Sequence, residues 1–519
     1  MTRFCFNQTE QKTVIITMRF FQFFIALALI FFLFPGIYSS PKNNTLIYLS
    51  PVDVTTLDPG LVTDRYSSQI IANIFEGLTK YKKDSLEVEP LLAESWESFN
   101  GGKRWVFKLR RGVTFHDGEP LTSLAVVNSF SDRLRNKRKY NEWNSFYTYL
   151  EKVTAFDSHT VQFLLKEPYA PFLYQLASPK SSIIATRSFR RGKYNVIGTG
   201  PFKFGEIKVG RFVRIIRNET YWSRKALLAA VVFKVVQDQK WRVLQVRNGA
   251  ADVALLESRE NLDEIQTVKN LDIKSGRSSA VHFLAFNLRR GPFRDRRMRE
   301  AVARLIDKEV VVRNIFQGFA ENATTPVPPN MFGHNPVIRD YPFSIEKARA
   351  LKEEAGYGED LEVTLYYSDT SRNLENIAGV IARSGKKIGL LIKKKPIPFS
   401  DLVQIGYDKH DMLMLGWVGD LPDADVYLYP NFTEDSGRLN RSGYIKPDVS
   451  GMIKKARMTS DRTERETLYR QAQVILNKDL PWIPLYHLND LLLCNRNVRG
   501  LHLQPLSFLN FRDVHFEGQ

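Results

Sequence analysis

From Leu361 to Trp417 the apolar residues change period repeatedly, and their order limits the fold more than any other stretch does. Leu361, Val363, Leu365 and Tyr367 alternate as a strand. Leu374, Ile377, Ala378, Ile381 and Ala382 then share one helical face, and Leu390 and Ile392 open another strand. Strand, helix, strand is a βαβ unit, and its crossover joins parallel strands. This half of the chain is therefore expected to be α/β with a largely parallel sheet. A further strand, Asp411 to Trp417, delivers the chain into a loop.

That loop, MLGWVGDLPDAD from Met414 to Asp425, carries the carboxylates Asp420, Asp423 and Asp425 beside Trp417. Ligands of open α/β sheets gather outside the carboxyl ends of strands, which is where Trp417 and Asp420 are expected. An aromatic plate next to carboxylates on a Gly/Pro loop can hold a cation such as a peptide's free amine. The same residues also fit a solvated acidic turn that caps the next element.

The first half reads differently. Asp58-Pro59-Gly60 marks a turn ahead of a helix with Ile70, Ile71, Ile74 and Leu78 on one face. Trp105, Phe107 and Leu109 alternate, as do Val161, Phe163 and Leu165, so a small antiparallel sheet is expected there. The GTGPFKF stretch at Gly198 lacks the third glycine of a dinucleotide loop and reads as a tight turn with a close backbone approach. Phe293 to Gln317 reads as one helix, with Met298, Ala301, Val302 and Leu305 buried and its arginines on a wet face. Ser344 caps the next helix, Asp461 and Glu464 have capping-box spacing before another, and short strands close the chain.

A chain of 519 residues needs more than one core, and 43% apolar with 25% charged residues is ordinary for a globular protein. The net charge of +18 is dispersed, and no basic run sits in a nucleic-acid motif, so nucleic acid is not an expected partner. Arg19 precedes an apolar block, Phe20 to Phe34, followed by Pro35-Gly36 and Ser39-Ser40, which reads as a signal peptide. The block is short for a membrane span, which wants about 20 apolar residues. Of the two cysteines, Cys5 lies ahead of that block, so no disulfide within the mature chain is expected with Cys494. No G-x-S-x-G elbow, H-E-x-x-H pair, P-loop or Cys-x-x-Cys pair occurs, and the eight histidines lack ligand spacing. No enzyme activity, metal or cofactor is expected.

Nine stretches, in order, resemble the bacterial extracellular solute-binding proteins of family 5. They are TTLDPG; IFEGL; PLLAESWE; VFKLRRGVTFHDGEPLT; GTGPF; FNLRRGPFRDRRMREAVARLIDK; KARALKEEAGY; GWVGDLPDAD; and RETLYRQAQVILNKDLPWIPLY. The resemblance implies a two-lobed periplasmic binding protein fold of type II, α/β, with an extra α+β subdomain in the first lobe. Residues 1–40 would be the signal peptide. Lobe one would comprise 41–85, 195–280 and 490–519, the extra subdomain 86–194, and lobe two 281–489. The implied protein is a periplasmic monomer that binds di- or oligopeptides between its lobes and delivers them to an ABC permease and ATPase complex at the inner membrane. Asp420 would hold the peptide's amino group, with Trp417, Gly416 and Gly419 forming its loop, and Arg372 is the match for the arginine that holds the carboxylate. The family's Asp-Pro-Asp is Asp423-Ala424-Asp425 here, which removes a rigid proline. Similar proteins take metal chelates, haem, sugars or opines, and a cell-wall peptide hydrolase is the remaining alternative.

Overall fold

The computed structural model describes residues 44–518 apart from 83–84, 136–145, 189–194, 258–267, 318, 359, 504–505 and 507–508. The expected signal peptide and part of the basic run at Arg133 lie outside the described residues. Among the described residues, no helix is long and apolar enough to cross a membrane, and no His, Cys, Asp and Glu side chains cluster to hold a metal.

One mixed sheet of 12 strands organises the chain. On one side Leu390–Ile397, Leu361–Ser368, Met412–Val418 and Ala280–Phe286 lie in that order, and on the other Val253–Leu256, Thr45–Ser50, Ala230–Val235, Phe212–Arg217 and Phe202–Lys208. Between them runs the strand Trp482–Asn495. Its first part pairs with Ala280–Phe286 and Ala320–Asn322, and its second part with Val253–Leu256 and Leu271–Arg277. It is buried along most of its length, and only Leu488, Asn489 and the terminal Asn495 are half-buried.

The expected βαβ unit is present: Leu361–Ser368 lies parallel to Leu390–Ile397 and to Met412–Val418, with the helix Arg372–Lys386 as crossover. On this side parallel pairing stops there, because Ala280–Phe286 lies antiparallel to Met412–Val418, while on the other side Thr45–Ser50 and Val253–Leu256 run parallel. The PWIPLYHL stretch opens a strand of 14 residues, and the short strands Val498–Arg499 and His515–Phe516 pair antiparallel after it, closing the chain as expected. Pro484 is tolerated within the long strand where the pairing with Ala280–Phe286 shifts register between His282 and Phe283.

Phe293 to Gln317 is not one helix but two, Arg296–Arg304 and Lys308–Ile315. Asp295 and Asp307 each accept a backbone N–H of the turn that follows, so each starts its own helix. Two of its arginines are also drier than expected. Arg299 is buried and donates to the carbonyls of Phe293, Arg294 and Asp479, while Arg304 is held by Glu300. Ser344 and Asp461 cap their helices as expected.

A separate antiparallel sheet of four strands, Ala93–Phe99, Arg104–Leu109, Thr160–Leu165 and Leu150–Asp157, carries its own core. Phe107, Phe130, Phe163 and Phe172 meet there, with Phe130 edge-on to Phe163 at 5.0 Å between centroids. This sheet joins the main one at Glu76, in the IFEGL stretch. The buried Glu76 carboxylate accepts from Thr199 Oγ1 at 2.8 Å, Tyr221 Oη at 2.6 Å and Trp222 Nε1 at 2.9 Å. Burial pushes its pKa up, and the three donors work against that push. Beside it, a Cβ on Gly198 would stand 2.2 Å from the Ile74 carbonyl oxygen, so only glycine fits the GTGPF turn.

Glu76→Ala leaves three donors without an acceptor in a site with little water. We expect a loss of about 3 kcal/mol, read as a lower midpoint in urea unfolding followed by the fluorescence of the neighbouring Trp222. An unchanged midpoint would show that Glu76 does not hold this junction together.

Candidate functional site

The strand Met412–Val418 starts fully buried, with Met412, Leu413 and Met414 packed in the cores on both faces of the sheet. It emerges at Gly416, opposite His282, where an added Cβ would stand 2.9 Å from the imidazole Cε1. His282 stacks on Tyr486 at 4.6 Å, and burial lowers its pKa to about 4, so the ring is neutral near pH 7. Trp417 is half-buried, and its Nε1 donates to the Val426 carbonyl at 2.7 Å, which fixes the indole against the helix Asp425–Phe432.

Gly419 lies in the tightest place of the loop. Its N–H donates to the Ser279 carbonyl, and a Cβ there would lie 2.2 Å from Tyr427 Oη. Tyr427 Oη donates to that same Ser279 carbonyl at 2.7 Å. Ser279 sits in the two-residue connection between Leu271–Arg277 and Ala280–Phe286. The loop is therefore pinned to the point where the chain passes from one side of the sheet to the other.

The three carboxylates have different surroundings. Asp423 is fully buried, accepts the Asp425 N–H at 3.0 Å, and meets Arg465 Nη2 at 2.7 Å. Asp425 is also buried, 3.4 Å from Arg457 Nη2 and 3.5 Å from Tyr469 Oη. Arg457 in turn lies over the rings of Tyr429 at 3.7 Å, Tyr149 at 4.6 Å and Tyr169 at 5.2 Å. Burial pushes the Asp425 carboxyl up to about 6, with Arg457 opposing and Asp423 reinforcing the push. A guanidinium at 3.4 Å is too long a contact to offset the lost water. Burial also opposes charge on Arg457, but Asp425 and the tyrosines outweigh it and raise its pKa.

Asp420 alone among the three keeps solvent, with 40% of its side chain exposed. Its Oδ2 accepts from Lys180 Nζ at 2.6 Å, across 240 positions of sequence. Tyr81 and Tyr427 lie close enough for the Asp420 charge to raise their pKa values, although burial is the larger cause for both. The Phe332 N–H donates to the Pro422 carbonyl and the Phe332 carbonyl accepts the Ala424 N–H, which holds the far side of the loop.

Arg372 is exposed at the first position of its helix. The parallel register, Leu365 beside Met412, sets it beyond the same carboxyl edge of the sheet as Asp420. Among the described residues no hydrogen bond or ion pair joins it to the loop. Lys180, Ser279, Tyr81 and Tyr427 carried no signal in the sequence, since each belongs to the site only through folding.

The family model for bacterial extracellular solute-binding proteins, family 5, matches residues 87–438. A di/tripeptide-binding protein of Pseudomonas aeruginosa is 30% identical over 515 residues, covering 93% of this chain and 96% of the relative. Heme-binding protein A of Haemophilus influenzae is 28% identical, covering 92% of this chain and 94% of the relative. Among solved structures, a periplasmic binding protein from Helicobacter pylori in complex with the peptide STSA superimposes with a TM-score of 0.78 at 28% identity, covering 91% of this chain and 98% of that one.

The raised Asp425 pKa has a definite sign. A carboxyl that moves from an ordinary 3.8 to about 6 on folding favours the folded state fully below the lower value and loses that contribution as pH rises through the upper one. Stability should therefore fall between about pH 4 and pH 6 through this residue. Denaturant unfolding at several pH values should show a flatter profile for Asp425→Asn, and an identical slope in both proteins would refute the assignment.

Proposed function

The chain belongs to the bacterial extracellular solute-binding proteins of family 5, and from that premise we propose that it is the peptide receptor of an ABC importer. It has the two-lobed α/β fold of that family. The proposed ligand is a di- or oligopeptide held between the lobes, and the proposed place of action is the periplasm, with a membrane permease and its ATPase as partners. The protein binds and releases without catalysis.

Asp420 carries this reading. It is a half-exposed carboxylate at the end of a core strand, on a loop whose other carboxylates are committed to buried arginines, and it already holds an ammonium at 2.6 Å. A peptide's amino group offers the same chemistry. Trp417, Gly416 and Gly419 form the rigid loop that presents Asp420, and Arg372 beyond the same sheet edge is the proposed partner of the peptide's carboxylate.

The lobes are proposed with the boundaries set out above, 281–489 forming lobe two. Two segments then pass between the lobes: the chain just after the Ser278-Ser279 connection, at Ala280-Val281, and the strand Trp482–Asn495 at Asn489-Asp490. Both crossings are hydrogen-bonded, which suits a hinge that closes on its ligand.

A second cargo is supported by the Haemophilus relative, whose name gives haem as its ligand. Native mass spectrometry of protein purified from its own host separates the two, because a co-purified haem would displace the peptide reading.

Replacing Asp420 should weaken binding of free-amine peptides. We expect Asp420→Ala to cost about 2 kcal/mol, roughly thirtyfold in Kd by calorimetry. Unchanged affinity would remove Asp420 from the ligand site.

A further inference from the structure

Lys180 has no part in the function proposed above, yet its ammonium stands where that function places the ligand's. It lies in the turn Pro179–Ser181, which is held on every side. Ser178 Oγ accepts the Lys180 N–H at 3.4 Å, Gln175 Nε2 donates to Ser181 Oγ at 3.3 Å, and the buried Arg133 donates to the Ser182 carbonyl at 3.0 Å. Pro179 and Ser181 are themselves buried. Only 15% of the Lys180 side chain is exposed, and its Nζ meets Asp420 Oδ2 at 2.6 Å.

A free surface lysine spends its time among many rotamers, and an ion pair must overcome that entropy. Here the base of the side chain is fixed by the turn and the stem is covered, so less freedom remains to be lost on pairing. The contact is a charge-assisted hydrogen bond in a partly dry place, the strong kind. Lys180 and Asp420 also belong to the proposed first and second lobes, so the pair bridges them when they are closed.

A tethered ammonium has an effective concentration set by its short tether, which for flexible tethers is already in the millimolar range. A peptide amine reaching Asp420 has to displace it or share the carboxylate, and two ammonium groups on one carboxylate repel each other. Either way part of the binding free energy is lost, as for any receptor whose competent state is only partly populated.

We propose that Lys180 is a built-in competitor for the ammonium position at Asp420 and so a specificity-determining residue of this receptor. It occupies Asp420 in the empty protein, lets the lobes meet without cargo, and admits only ligands whose remaining contacts outweigh its displacement. This rests on the peptide reading above.

The test uses the full mature chain with a pool of di- and tripeptides and the same pool N-acetylated, followed by calorimetry of the best binders. Lys180→Met, which keeps the apolar stem, should bind free-amine peptides about tenfold more tightly and leave acetylated ones unchanged. Lys180→Arg keeps the competing cation and should stay within about twofold of wild type. In an Asp420→Asn background the gain from Lys180→Met should vanish. Lys180→Gln carries the same expectation as the methionine variant should that side chain unsettle the turn. If wild type binds free-amine peptides and the Met and Gln variants bind them no more tightly, or if acetylated peptides gain equally, the competitor role is overturned while the peptide reading stands. If no variant and no wild-type protein binds any peptide in either pool, both are overturned.

Discussion

Both halves of the main sheet depend on one strand, Trp482–Asn495. It hydrogen-bonds to the strands of one half through its first residues and to those of the other through its last, so neither half can complete its ladder without it. A strand bonded on both edges and buried on both faces can accept almost no polar side chain. Its composition, WIPLYHLNDLLLCN, meets that demand except at His487 and Asp490, where His487 Nδ1 lies 3.1 Å from the Ala280 carbonyl and the buried Asp490 is paired with Arg65 at 2.8 Å. The half-buried Leu488 and Asn489 fall where the two cores end, and that is where bending costs least packing.

The acidic loop is tied to that crossing point. The Ser279 carbonyl takes the Gly419 N–H and the Tyr427 hydroxyl together, so a change in the connection between Leu271–Arg277 and Ala280–Phe286 reaches Asp420 through two hydrogen bonds. The buried pairs of Asp423 with Arg465 and Asp425 with Arg457 hold the other end. A buried ion pair contributes little net stability, because desolvation offsets most of the attraction. Its use here is geometric: two arginines on neighbouring helical segments fix where the loop turns, and Asp420 is left as the carboxylate that solvent and cations can reach.

Much of this was legible in the sequence. The βαβ order, the caps at Ser344 and Asp461, the small antiparallel sheet at Trp105 and Val161, and the close backbone approach at Gly198 each rest on a few adjacent residues whose chemistry acts locally. The misreadings have one physical source. Phe293 to Gln317 has an unbroken apolar stripe, but Asp307 satisfies an N–H of its own next turn and starts a second helix. Arg299 was expected on a wet face because arginine usually is, and only the fold brings the carbonyls of Phe293, Arg294 and Asp479 around it.

The sequence by itself determined the family, the α/β half, and the loop on which a cation could be held, since periodicity and motif order act over short separations. The resemblance pointed to Asp420, but the sequence did not determine which of Asp420, Asp423 and Asp425 keeps solvent. That was decided by tertiary contacts: Arg457 and Arg465 remove two of the three from solvent, and a lysine 240 positions away settles on the third. Charge is visible in a sequence, but its partners are chosen by burial, and burial exists only once the chain has folded.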